Sequence, residues 1–60
     1  MKSREEILKK VNEVSYRIEF MKRYLQLKFD VQDWHGVEDA GSDIRDMEAE
    51  KKALLWIIED

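Results

Sequence analysis

The residues best placed to do chemistry lie in and just beyond Asp33 to Glu48, D-W-H-G-V-E-D-A-G-S-D-I-R-D-M-E, which holds the one His, both Gly and one of two Trp. On a helix His35, Asp39, Asp43, Asp46 and Glu50 recur at spacings of 4, 4, 3 and 4, a ladder along one outer face. His and Asp four apart can offer two ligands to a divalent ion, and the later carboxylates can offer oxygens to Mg²⁺ or Mn²⁺. Ligands along one straight helix do not surround an ion, however. Helical di-metal sites use converging carboxylates with Glu-x-x-His pairs, and this sequence has no such pair. Neither a metal site nor a cofactor is expected.

Nucleophilic catalysis has little material. There is no Cys, and Ser3, Ser15 and Ser42 would have to share His35. His35 precedes Ser42 by two helical turns, about 10 Å along the axis, too far for a base and its nucleophile. Gly36 and Gly41 follow no strand and belong to no G-x-x-x-x-G-K motif, so they cradle no phosphate. Trp34 and Trp56 are more readily packing residues or interface anchors than a ligand cage. The chain is therefore not expected to be an enzyme.

The ordinary role of such a ladder is a solvated face. Its second use is recognition, because carboxylates spaced about 4.5 to 6 Å apart along a helix resemble a run of phosphates to a basic protein. His35, Asp39, Asp43, Asp46 and Glu50 are accordingly the expected partner-binding residues. Direct binding to nucleic acid is not expected: the basic residues of the first half are interleaved with Glu5, Glu6, Glu13 and Glu19, with no basic patch or recognition motif.

The elements that must position this ladder are helices. Ser3-Arg4-Glu5-Glu6 has the S-x-x-E form of a capping box and marks a helix start. Ile7, Val11, Val14, Ile18, Met21 and Leu25 then recur at alternating spacings of 4 and 3, a seam for a partner helix. The period fails over Lys28 to Gln32, where a turn is expected, and Asp30 and Asp33 are candidate caps. A second helix could begin at Trp34 or only after Ser42. Val37, Ala40, Gly41, Ile44, Met47, Leu54, Leu55 and Ile58 share one face of a continuous helix, which favours Trp34. Each Gly inside it costs roughly 1 kcal/mol against Ala, and Ala40-Gly41 is expected to allow close helix approach.

Sixty residues make one domain, 1–60, too short to bury an ample core alone. Without Cys, neither disulfides nor zinc thiolates can supplement it, which leaves self-association. Apolar side chains off the seam point the same way. Tyr16, Phe20, Tyr24 and Leu27 lie opposite it on the first helix, and Trp56 and Ile57 point away from the hairpin on the second; these six are the expected oligomer interface. Residues 1–29 carry eight basic and four acidic side chains (+4), residues 30–60 three and ten (−7), so antiparallel halves attract within or between chains. No apolar stretch follows Met1-Lys2, and the run Ala53 to Ile58 is far below membrane-spanning length. A soluble, cytoplasmic protein without a membrane partner is expected.

The D-W-H-G-V segment, leading into D-A-x-x-D-I-R-x-x-E and an apolar helix with Ala49, Leu54 and Leu55, resembles short uncharacterised proteins encoded by bacteriophages, over roughly residues 33 to 58. The resemblance carries over no catalytic residue. It implies a small accessory factor acting in the host cell cytoplasm on a host enzyme or immune component.

The sequence thus predicts an all-α antiparallel hairpin, helices at about 3–28 and 34–58, pairing into a dimeric four-helix bundle. The expected role is non-catalytic: self-association and binding of a basic host protein to inhibit or modulate it. The alternatives are a structural or assembly module with no host target, and a metal- or nucleotide-binding bundle.

Overall fold

The computed structural model describes residues 3–59 and shows two long helices, α1 (Arg4–Asp30) and α2 (Trp34–Ile58), packed side by side as an antiparallel hairpin. No strand occurs among the described residues. Ser3 begins α1 from extended backbone: its hydroxyl accepts from the Glu6 N–H at 3.2 Å and lies 3.5 Å from the Glu6 carboxylate.

Only one stripe of each helix is covered. Val11, Val14 and Ile18 are buried on α1 and Ala40 on α2, with Val14 fully so. Ile7, Met21 and Leu25 extend the first stripe; Val37, Ile44, Met47, Leu54, Leu55 and Ile58 extend the second, all half-buried. Lys51 lies half-buried within the α2 stripe, where its aliphatic stem can cover apolar surface while its ammonium stays wet. The product is a rod of 44 × 15 × 14 Å with a radius of gyration of 13.9 Å. A compact chain of this length would have a radius of about 10 Å.

α1 runs two residues beyond its expected end, taking in Phe29 and Asp30, and the turn is Val31 to Asp33. The reason is a Schellman closure. The Gln32 N–H donates to the Phe29 carbonyl at 3.0 Å and the Asp33 N–H to the Lys28 carbonyl at 2.9 Å, satisfying two orphan acceptors of the last turn. Gln32 sits at φ 60, the left-handed position where glycine or asparagine is the usual signal. The contact that normally closes this motif is apolar. Here it is an ion pair, Lys28 Nζ to Asp33 Oδ2 at 3.6 Å.

Asp33 also starts α2. Its Oδ1 accepts from the Gly36 N–H at 3.1 Å, so a single carboxylate locks the end of one helix to the start of the next. That hydrogen bond, followed by the nearby Lys28 charge, holds the Asp33 carboxyl below its ordinary value of 3.8.

The two glycines differ in what surrounds them. A Cβ on Gly41 would meet nothing within 4 Å, so close helix approach is not what keeps that residue small. A Cβ on Gly36 would stand 2.9 Å from Asp33 Oδ2 and 3.0 Å from the Lys28 stem. Gly36 is the position that clears a path for Lys28 across the start of α2. At the opposite pole Arg4 Nη1 donates to the Ile58 carbonyl at 2.9 Å, placing a cation against the C-terminal end of α2.

Candidate interaction surface

The five residues of the acidic ladder span about 80° of the helix circumference, and its members differ in what lies beside them. Asp43 is eight positions on from His35 and, at about 100° per residue, lies roughly 80° further round the helix, whereas Asp46 lies only about 20° round. His35 and Asp39 point into water as a pair, Nε2 to Oδ2 at 3.4 Å, with side chains 86% and 68% exposed. Asp43 and Asp46 are exposed but turn toward α1, where they line one wall of a groove along the flank of the hairpin. Glu50 is exposed one turn beyond them. Among the described residues no group of three or more His, Cys, Asp or Glu is arranged to hold a metal ion.

The opposite wall comes from α1. Tyr16, Arg17, Phe20 and Met21 face Asp43, Asp46 and Met47 across an open space of about 450 Å³. Phe20 is 59% exposed, so the groove is a shallow trough rather than a ligand cavity. The ion pairs between described side chains are Lys10–Glu13, Lys22–Glu19, Lys28–Asp33 and His35–Asp39. Arg17, Asp43 and Asp46 take part in none of them. The spacing pattern overlooks Arg17, because a cation among interleaved charges is unremarkable until α2 brings carboxylates to the same flank.

The six apolar residues off the seam stay uncovered within one chain: Tyr16, Phe20, Tyr24 and Leu27 on α1, Trp56 and Ile57 on α2. Leu27 is 65% and Trp56 79% exposed. Tyr24 is the most sheltered of the α1 group, with the Lys28 ammonium 5.3 Å from its ring centroid. The turn adds a second exposed cluster that the seam pattern does not identify. Phe29 and Trp34 stack edge to face at 5.5 Å and 81°, yet both, with Val31, remain largely open to solvent.

Together these residues give the hairpin exposed apolar and charged surface on its flank and at its turn. No helix of the described residues is long and apolar enough to cross a membrane. Comparison of the chain with protein-family models, curated proteins and solved structures gives no match.

Proposed function

We propose that this chain is a non-catalytic interaction protein that pairs with itself and, as a phage-type accessory factor in the host cytoplasm, binds a host protein with a basic surface and modulates it. The observation that carries the reading is the amount of surface a single chain leaves uncovered. It exposes 5101 Å². A compact monomer of 7.3 kDa is expected to expose roughly 4200 Å². Large apolar side chains are among what is exposed, Tyr16, Leu27 and Trp56 each by more than six-tenths, and such side chains are where a protein partner gains most by excluding water.

The acidic pair His35–Asp39 and the neighbouring Asp43, Asp46 and Glu50 support a basic target, and the resemblance over residues 33 to 58 supports a host one. Two measurements test the proposal. Sedimentation equilibrium at micromolar concentration should give twice the 7.3 kDa chain mass; a clean monomer would overturn the self-association. Capture from host lysate should yield a partner that a variant with Asp39 and Glu50 reversed to Lys does not retain. Identical captures by both proteins, or none, would remove the acidic residues from the binding site.

A further inference from the structure

The flank groove is its own complement. Arg17 on α1 and Asp43 and Asp46 on α2 stand at one level along the rod, since all three line the same groove, and no ion pair among the described residues uses them. Between the two charged walls lie Tyr16, Phe20, Met21 and Met47. A second copy laid face to face on this flank can be related by a two-fold axis across the helices or along them.

The axis across the helices sets α1 on α1 and α2 on α2. That stacks the basic half on the basic half and the acidic on the acidic, which repels. The axis along the helices sets α1 on the second copy's α2, antiparallel and at unchanged height. It opposes the +4 half to the −7 half and brings Arg17 of each copy before Asp43 and Asp46 of the other.

We propose that a second copy of this chain docks on the Tyr16, Phe20, Met21 and Met47 groove through a two-fold axis parallel to the helices, with Arg17 of each copy against Asp43 and Asp46 of the other. This rests on the self-association proposed above and adds its face and symmetry. Asp43 and Asp46 are then occupied at the dimer centre, His35, Asp39 and Glu50 remain for an outside partner, and both turns lie at one pole.

Charge exchange in the full chain tests the pairing, followed by sedimentation velocity with helicity checked by circular dichroism. Arg17→Glu alone, and Asp43→Arg with Asp46→Arg, should each weaken the dimer about tenfold or more. The triple variant should recover to within about threefold of the original, a rescue that a general loss of folding could not give. Symmetry is read independently by spin labels on Val31→Cys. Labels on both turns should lie well short of the 44 Å rod length, whereas the crosswise axis would put them near that full length. A dimer indifferent to these charges, or one with distant labels, overturns this face or symmetry while leaving self-association intact. A monomeric original protein overturns self-association itself.

Discussion

Asp33 is the residue on which most local structure converges, and its titration is the most direct consequence. Its carboxyl is held low by the Gly36 N–H and then by Lys28, so the charged form belongs to the folded state. A lowered folded value means that the contribution is complete above the ordinary 3.8 and disappears as pH falls from there through the folded value. Asp33→Asn keeps an acceptor for the Gly36 N–H but cannot titrate. The advantage of the original protein over this variant in Tm should therefore shrink as pH is lowered through that window; an advantage constant with pH would show that the charge contributes nothing. The cap itself was legible, because Asp in front of an apolar-periodic run is a helix start signal. Its bond to Lys28 was not, since it depends on how the preceding helix ends.

At the scale of elements, both helices follow from spacing. Val11, Val14 and Ile18 are buried where the 3 and 4 alternation puts them, and α2 continues through Gly36 and Gly41 because its apolar face does. The end of α1 escaped the same reasoning because Gln32 occupies a left-handed position that normally advertises itself with Gly. Gln32→Gly should consequently stabilise the protein by about 0.5–1 kcal/mol by relieving that backbone, measured by urea denaturation. Gly41→Ala should add about 0.5–1 kcal/mol, since an added methyl meets nothing and the helix gains propensity. Loss of stability in Gly41→Ala would instead reveal a neighbour from another chain at that position. Which glycine is closely surrounded could not be read from spacing alone: it depends on the Asp33 carboxylate and on the path of the Lys28 side chain, a contact between helices. The flank position of Asp43 was within reach of rotation arithmetic, but that of Asp46, and the confrontation of both with Arg17, needed the relative placement of α1 and α2.

For the whole molecule, four apolar side chains are buried among the described residues, a small core for a rod of this length. The proposed pairing would link stability to concentration, so Tm should rise as protein is added over the range in which a dimer forms. Phe20→Glu places a charge in the groove yet lies off the intrachain seam. It should weaken association by about tenfold or more, the scale of a lost interface anchor, while far-UV circular dichroism keeps most of its helical signal at high concentration. Collapse of helicity at every concentration would mean that Phe20 supports the hairpin itself.

The Arg4 contact with Ile58 fixes where the two helix ends lie. It holds the helix ends side by side at one pole, while the chain reverses direction at the other pole of a 44 Å rod. A polypeptide joined ahead of Arg4 and another joined after Ile58 would emerge as neighbours, far from the turn. A donor and acceptor fluorophore placed at these two positions would report folding by energy transfer, high while Arg4 grips the carbonyl and falling as that pole opens.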